Sequence, residues 1–170
     1  MADVKISLDL DDAIRGLDRM ALPVLERLGN LEPVLRKRAA LLDGVVQTSF
    51  RQSKSPLGEA WAALAPSTIE RRRKGSSKPL VDTGQLRQSV TIVASKDRIT
   101  FGISGPAQGY APAHQFGTSR AGRKRSVKIP RRAFLPITPQ GETSFATGPA
   151  KAWFDKTGEA IVAYVLHGKT

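Results

Sequence analysis

His114 is the residue of this sequence whose side chain is best suited to acid–base chemistry near neutral pH, and it is one of two histidines. Three hydroxyl groups lie near it in sequence, those of Ser104, Thr118 and Ser119. A histidine that activates a hydroxyl nucleophile also needs an orienting acid, and residues 98–141 contain neither Asp nor Glu. We therefore expect His114 to pack beside Tyr110 and Phe116 and to bond a backbone group. The protein is not expected to be an enzyme, and a hydrolase that uses His114 stays the alternative.

Metal and cofactor binding have little support in the sequence. The chain has no cysteine, and its histidines, His114 and His167, lie far apart, so no set of metal ligands is close in sequence. The segment "GTSRAGRK" at 117–124 resembles a phosphate-binding loop. Arg123, however, stands where that loop needs lysine, and Lys124 stands where it needs a hydroxyl. We expect no metal site and no cofactor.

Positive charge is concentrated in two segments, which together hold almost all of the formal net charge of +12. The first is Arg71, Arg72, Arg73 and Lys74; the second comprises Arg120, Arg123, Lys124, Arg125, Lys128, Arg131 and Arg132. Such segments are typical of proteins that meet a polyanionic surface, either nucleic acid or an acidic protein face. The alternative is a solvated loop that keeps the protein soluble.

The absence of cysteine fits a reducing compartment. No apolar run approaches the roughly 18 residues that a membrane-spanning helix needs. The first ten residues also lack the basic and apolar regions of a signal peptide. These features predict a protein that is made and kept in a cytoplasm, with no membrane contact.

Helices are predicted in three long segments. Helical spacing of apolar residues after Asp11 predicts an amphipathic helix that ends near Pro23. A longer apolar stripe begins at Pro33 and predicts the main helix through Phe50; it consists of Val34, Leu35, Leu41, Leu42, Val45, Val46 and Phe50. A terminal helix is predicted over 149–168, with Trp153, Phe154, Ile161, Tyr164 and Val165 at helical spacing.

Shorter elements are predicted around these helices. Trp61 and Leu64 should anchor an extended loop to the core, and Ser67 and Thr68 with Glu70 resemble the cap of a short helix. "DTGQLRQS" and "YAPAHQFG" are typical of helical turns, the second ended by a glycine. Alternating apolar residues predict a first strand at 4–8, a hairpin of "VTIVAS" and "RITFGIS", and strands at "RSVKIP" and "RAFLPI". The sum is a single α+β domain, residues 1–170, with helices packed on a small antiparallel sheet.

The short motifs occur together in an order that resembles the tailed-phage virion morphogenesis family, whose members are also described as tail-completion or Mu-like G proteins. The matching positions are Pro56, Gly58, Trp61, Leu64, Thr68, Leu80, Thr83, Gly84, Leu86, Ser89, Gly102, Tyr110, Ala111, His114, Gln115, Phe116, Gly117, Pro130, Arg132, Phe134 and Leu135. The resemblance implies a structural virion protein at the head–tail junction, present in the host cytoplasm during assembly, with no catalytic residues. It also implies a homo-oligomeric ring, hexameric by our estimate, beside portal, adaptor, tail-terminator or tail-tube proteins.

Within this frame, residues 117–132 are expected to form a basic loop after "YAPAHQFGT", and Ile129, Phe134 and Leu135 should anchor its return to the core. Its cations cannot be buried unpaired at a tolerable cost, so the loop should protrude toward an acidic neighbour or toward DNA in the lumen. The competing function is a nucleic-acid-binding protein that uses 71–74 and 120–132. Aromatic residues make up only 6% of the chain, which disfavours a stacking platform for single strands.

Overall fold

The predicted main helix forms the centre of the structure, a computed structural model that describes residues 10–72 and 76–170. The predicted strand at 4–8 lies outside these residues. The helices are α1 Leu10–Gly29, α2 Glu32–Gln52, α3 Pro66–Glu70, α4 Gln85–Gln88, α5 Ala111–Phe116 and α6 Gly148–His167. The strands are β1 Val90–Ala94, β2 Ile99–Ile103, β3 Thr118–Ala121 and β4 Val127–Ile129, and Gly105–Gly109 is a 3-10 turn. The predicted α+β class is confirmed.

Helix α2 begins with Pro33 in its first turn, as predicted, and buries one face along its whole length. The buried residues of this face are Val34, Leu35, Ala39, Leu42, Val46, Ser49 and Phe50. Leu41, which we expected in the apolar stripe, is exposed, and Val45 is half-buried. The buried face packs against α6 on one side and β1 on the other. Burial of this stripe therefore joins the N-terminal and C-terminal parts of the described chain.

Helix α6 is fixed to α2 by an exchange of hydrogen bonds. Trp153 Nε1 donates to the carbonyl of Arg38 at 2.8 Å. Arg38 in turn donates from Nη2 to the carbonyl of Trp153 and from Nε to Thr157 Oγ1, each at 3.0 Å. The predicted terminal helix is confirmed, although Phe154 stacks on Phe145 and stays about half exposed. The side chains of Arg38 and Trp153 thus satisfy backbone carbonyls of the opposite helix inside the interface.

Helix α1 continues past Pro23 to Gly29, so the prediction that it ends near Pro23 is wrong. A proline inside a helix removes one backbone hydrogen bond and usually kinks the chain. Here the C-terminal half of α1 is tied to α6, because Arg27 Nη1 donates to the carbonyl of Val165 at 2.6 Å. Tyr164 also donates from its hydroxyl to the carbonyl of Asn30 at 3.2 Å. These contacts offset the loss at Pro23.

The strands form two separate antiparallel pairs within the described residues, where the sequence predicted one small sheet. In the pair of β1 and β2, Val90 faces Ile103 and Ala94 faces Ile99, as the predicted hairpin requires. The second pair joins β3 to β4, which the sequence analysis anticipated only at β4. The predicted strand "RAFLPI" is wrong: residues 132–136 are buried and pair with no strand. An apolar run of this length fits a buried extended segment as well as a strand.

The core gathers the motif residues around Phe50. Its ring lies edge-on to Trp61, with ring centroids 5.5 Å apart, and 5.8 Å from Phe134. The other buried members of this cluster are Val46, Leu80, Leu86, Ala107, Ala111 and Leu135. The anchoring role predicted for Trp61 is therefore confirmed, and Phe134 is also anchored as expected. No helix within the described residues combines the length and apolarity needed to cross a bilayer.

Candidate partner-binding surface

The loop that follows α2 is shaped by Pro56 and Gly58 and held by Trp61. Pro56 is fully buried, and its carbonyl accepts a hydrogen bond from the N–H of Ala150 at 3.0 Å. Gly58 has a φ of +96°, a conformation that glycine adopts without strain. Trp61 Nε1 donates to the carbonyl of Ala133 at 2.7 Å. The loop thus contacts both the start of α6 and the segment that returns from the second hairpin.

Gln115 holds that returning segment by four hydrogen bonds, which gives this motif residue a clear structural role. Its Oε1 accepts from the N–H groups of Phe134 and Leu135, at 3.0 and 3.1 Å. Its Nε2 donates to the carbonyls of Leu135 and Ile137, at 3.0 and 3.1 Å. The side-chain amide takes the place of a strand partner at Phe134 and Leu135, and Ile137 also forms an isolated antiparallel bridge with Thr143. An unpaired backbone there would be costly, because the segment is largely buried.

Gly117 ends α5 and lets the chain leave the core beside its own return. Its φ is +75°, and a Cβ at this position would lie 2.9 Å from the N of Arg131. Only glycine therefore fits between α5 and the residues after β4 without displacing backbone. The predicted end of the helical turn at Gly117 is confirmed. This close approach sets the direction in which the β3–β4 hairpin projects.

The β3–β4 hairpin carries most of the second basic segment on its surface. The exposed cations are Arg120, Arg123, Lys124, Arg125 and Lys128. At its tip the N–H of Arg125 donates to the carbonyl of Gly122 at 3.0 Å, which closes a tight turn. None of these five cations forms an ion pair within residues 10–72 and 76–170. The hairpin therefore presents unpaired positive charge to its surroundings.

The side chains of Arg131 and Arg132 do not protrude, although the sequence predicts a protruding loop over 117–132. Arg131 forms an ion pair with Glu59, a residue far away in sequence. Arg132 is only 5% exposed, and it donates to the carbonyls of Ala62 at 2.7 Å and Ala63 at 2.8 Å. The expectation that these side chains protrude is therefore wrong, and it is clearest for Arg132. A guanidinium can be buried here because backbone oxygens satisfy its donors.

The first basic segment likewise contains both an exposed arginine and one that turns inward. Arg71 is exposed at the end of α3, whereas Arg72 turns inward and donates to the carbonyls of Ser76 and Val81, both at 3.3 Å. Arg73 and Lys74 lie outside the described residues. Helix α3 exists as predicted, but its N-cap is Ala65 and no side chain caps it, contrary to the cap we expected at Ser67 and Thr68. Arg72 thus serves as a donor that shapes the loop after α3.

A groove of about 640 Å³ brings the two basic segments together, because Arg72 and Lys128 line it from opposite parts of the sequence. The other polar residues of its lining are Thr68, Asp82, Thr83, Gln85, Tyr110, His114 and Arg132. Its apolar lining includes Leu64, Leu80, Leu86, Val127, Ile129 and Pro130. Asp82 cannot be identified as a groove residue from the sequence, since only the fold places this acid beside the acid-free segment. Pro130 contributes to the wall that the end of β4 forms.

Thr83 and Gly84 shape the neighbouring wall. Gly84 is the N-cap of α4 with a φ of +80°, and Thr83 Oγ1 accepts a hydrogen bond from the N–H of Gln85 at 3.4 Å. Tyr110 donates from its hydroxyl to Gln85 Oε1, also at 3.4 Å. The predicted helical turn at these residues is confirmed. The two motifs "DTG" and "YAPAHQFG" therefore meet at one wall of the groove.

His114 packs with Tyr110, as predicted, with ring centroids 6.0 Å apart in an edge-on arrangement. The expected bond to a backbone group is not seen for its Nδ1, which is buried without a hydrogen-bond partner in the described structure. Burial lowers the pKa of His114, and the positive charges of Arg132 and Arg72 lower it further. Phe116, the other expected neighbour, is exposed at 39%. The neutral imidazole is thus the favoured form in the native state.

The three hydroxyls near His114 in sequence do not bond it within the described residues. Ser104 Oγ shares a hydrogen bond of 2.8 Å with Thr91 Oγ1, and Thr118 Oγ1 accepts from the N–H of Arg120 at 3.1 Å. No group of three or more His, Cys, Asp or Glu side chains in the described part of the chain could hold a metal ion. The groove is therefore cationic and partly apolar, without a catalytic or metal-binding group among its described residues.

Comparison with known proteins agrees with the motif pattern. A family model described as the phage virion morphogenesis family matches residues 12–147. "Mu-like prophage FluMu G protein 2" of Haemophilus influenzae is 33% identical over 142 residues, covering 84% of this chain and 88% of that protein. "Putative capsid assembly protein G" of Escherichia phage Mu is 29% identical over 147 residues, covering 81% of this chain and 89% of that protein. No solved structure matches significantly. The chain belongs to the phage virion morphogenesis family, whose role in phages is structural or in assembly.

Proposed function

We propose that this protein acts at the junction between the phage head and tail, where it completes the neck or the top of the tail so that the two parts join. It would then reside in the virion, after assembly in the host cytoplasm. The observation that carries the proposal is the exposed apolar face of α1. The name of the phage Mu relative, a capsid assembly protein, supports an assembly role with other phage proteins.

The apolar face of α1 is large for a surface in contact with water. Among the α1 side chains that the structure describes, six apolar ones are between 48% and 76% exposed: Ile14, Leu17, Met20, Leu22, Leu25 and Leu28. Four of them, Ile14, Leu17, Leu25 and Leu28, follow helical spacing along one stripe. Exposed apolar patches of this kind mark protein–protein contacts. A protein that acts in an assembly would bury this face against a neighbour.

We take that neighbour to be a second copy of the chain, so that residues 1–170 act as one domain of a ring, with six copies as our estimate. A ring needs two different surfaces that meet head to tail. Helix α6 offers a second exposed apolar surface at Phe154, Val162 and Leu166. The α1 face of one copy would pack on the α6 surface of the next.

The β3–β4 hairpin would contact the other proteins of the neck. Its unpaired arginines suit carboxylates on an acidic face of a portal, adaptor, tail-terminator or tail-tube protein. The same side chains could instead meet phosphates of DNA in the lumen. A nucleic-acid-binding protein is therefore the second candidate function, and the exposed cations at the hairpin tip favour it. Naked DNA would then bind with an affinity that falls steeply with salt concentration.

Electron microscopy of lysates from a phage that lacks this gene tests the proposed function. Filled heads beside separate tails are the expected result, because joining would be the step that fails. Normal virions would contradict the proposal. Complementation with the intact gene controls for effects on neighbouring genes. Joined particles that lack DNA would instead point to a role earlier in capsid filling, and would also contradict it.

Charge reversal tests the hairpin in the same assay. Changing Arg123, Lys124 and Arg125 to Glu should abolish joining and leave the monomer folded, because the three side chains are exposed. A matched control reverses three other exposed cations, Arg87, Lys96 and Lys156, and alters the net charge equally. The control should still complement. Equal behaviour of the two triple variants would show that the hairpin is only a solvated surface.

Self-association tests the ring. Sedimentation velocity should show oligomers that dissociate when Leu17 and Leu25 on the α1 face are changed to Glu. Arg19, on the opposite side of the helix, provides the control as Arg19→Glu, which should leave the oligomer intact. A wild-type protein that stays monomeric at high concentration, with or without the neck proteins, would contradict the ring.

A further inference from the structure

We propose that the groove between the two basic segments binds a carboxylate side chain, together with an adjacent apolar side chain, from a partner protein. The inference deepens the proposed function and rests on it only in taking the partner to be another protein of the particle. The residues that carry it are Arg72, Lys128, Arg132 and His114, with the apolar walls around them.

Two guanidinium groups are held at the groove before any ligand binds. Arg72 donates to three backbone carbonyls, those of Ser76, Lys78 and Val81. Arg132 is fixed by the carbonyls of Ala62 and Ala63. Carbonyl oxygens satisfy donors but do not neutralise the charge. Both cations are therefore pre-organised, which lowers the entropy cost of binding an anion.

Positive charge in the groove is not balanced by the residues that line it. Asp82 is the one acid of the lining and forms no ion pair within the described residues, against the three cations Arg72, Lys128 and Arg132. The two arginines are close enough that the charge of Arg72 contributes to lowering the pKa of Arg132, after the larger effect of burial. A single negative charge from a ligand would relieve this repulsion.

The ring of His114 forms part of the groove lining. Its Nδ1 is buried and makes no hydrogen bond to the described residues. A carboxylate in the groove would lie near the imidazole and favour its protonated form. The imidazole therefore also reports on occupancy of the groove.

The apolar walls decide between a protein and a nucleic acid as the partner. Leucine and isoleucine side chains, with Pro130 and the ring of Tyr110, make up much of the lining. A phosphodiester gains little from such walls, whereas a carboxylate with an apolar neighbour fills both kinds of surface. Acidic protein segments have this chemistry.

Solution NMR tests the site on the purified full chain. The probe is 3-phenylpropionate, which carries a carboxylate and an apolar ring, and the signal is the ring C–H resonance of His114. The chain has two histidines, so the His114→Gln variant assigns it. We expect a saturable shift with a dissociation constant on the order of 1 mM, a value reasonable for so small a ligand. The pKa of His114 should rise when the probe is bound.

Two further probes separate the parts of the proposal. The amide 3-phenylpropanamide has the ring without the charge, and inorganic phosphate has charge without the ring. Each should shift the His114 resonance less than a tenth as much at the same concentration. An equal shift with the amide would reveal an apolar cavity only, and an equal shift with phosphate a general anion site. Either result, or no shift with any probe, overturns the proposal.

A pair of variants on one hairpin provides the matched control. Lys128 lines the groove and Arg120 does not, although both are exposed and each carries one positive charge. Lys128→Gln should weaken binding of the carboxylate about three- to tenfold, whereas Arg120→Gln should leave it unchanged. Equal losses would assign the effect to the general field of the hairpin and overturn the site. Normal virions from the gene deletion would contradict the head–tail role. They would not change the result of this binding experiment, so the two failures can be told apart.

Discussion

Arg38 and Trp153 bond each other reciprocally across the interface of α2 and α6, each side chain donating to the backbone carbonyl of the other residue. The pair is buried or half-buried, and Arg38 also donates to Thr157. Burial of an arginine is tolerated here because one helix carbonyl and one hydroxyl receive its N–H groups. The pair fixes the rotation of α6 about its own axis relative to α2.

We predict that Trp153→Phe and Arg38→Lys each lower the free energy of unfolding by about 1–2 kcal/mol, because each leaves polar atoms without partners. In urea denaturation the double variant should lose less than the sum of the two single variants, since the residues share one network. Arg36→Lys on the exposed side of α2 is the control and should change stability by less than about 0.5 kcal/mol. Full additivity would mean that the two residues act independently.

Gly148 lies against the backbone of the loop after α2. Its φ is +65°, and a Cβ there would come within 2.7 Å of both Gly58 N and Leu57 O. Gly148→Ala should therefore destabilise the protein by about 2 kcal/mol or more. Gly158→Ala in the middle of α6 is the matched control, because no atom lies within 4 Å of its added Cβ. This second change should stabilise the helix by roughly 0.5–1 kcal/mol in thermal or urea unfolding; the opposite order would refute the packing argument.

Adjacent arginines should differ sharply in their effect on stability. Arg132→Met removes the donors to two carbonyls and should cost about 2–3 kcal/mol. Arg131→Gln removes an ion pair whose partner, Glu59, is largely exposed, and should cost less than about 1 kcal/mol. Chemical denaturation of both variants measures the difference. Similar losses would show that Arg132 is not anchored as described.

The stability of the protein should depend on the protonation of His114. Its pKa in the native state lies below the ordinary value of 6.5, so the unfolded chain binds more protons just below that pH. The free energy of unfolding should therefore rise with pH through the window that ends near 6.5 and reach its full value above it.

His114→Gln should reduce the slope of stability against pH in this window, as urea midpoints at closely spaced pH values would reveal. His167→Gln changes the other histidine, which is exposed near the end of α6, and should keep the slope of the unmodified protein. An unchanged slope in His114→Gln would mean that the imidazole does not resist protonation in the native state.

The periodicity of apolar residues predicts those elements whose structure depends mainly on local sequence. Helix α2 and the β1–β2 hairpin are examples, because apolar spacing and turn residues are sufficient for them. Pro23 misled the prediction of α1, since packing on α6 compensates for the missing hydrogen bond. The run at 132–137 has the sequence pattern of a strand, but at Phe134 and Leu135 the side chain of Gln115 satisfies the backbone in place of a neighbouring strand.

The groove was beyond prediction from the sequence for a related reason. The sequence indicates the motif residues. It does not indicate that Arg72 and Arg132 turn inward while the tip of the β3–β4 hairpin stays exposed. Those directions depend on carbonyls of Ala62, Ala63 and Val81, which carry no sequence signal. The presence of Asp82 and His114 in the lining of one groove is likewise a product of the fold. Charge counted along the chain therefore overestimated how much of it faces outward.

The contact between the loop after α2 and the start of α6 has a consequence for the order of folding. Thr147 Oγ1 donates to the carbonyl of Leu57 across 90 residues of chain. Closing so long a loop costs entropy that no local contact repays, so such contacts form slowly. We therefore expect helix α2 and the β1–β2 hairpin to form early and α6 to dock last. Until α6 docks, the side of α2 that faces it is exposed to water. A newly made chain is therefore not ready for assembly until α6 has docked.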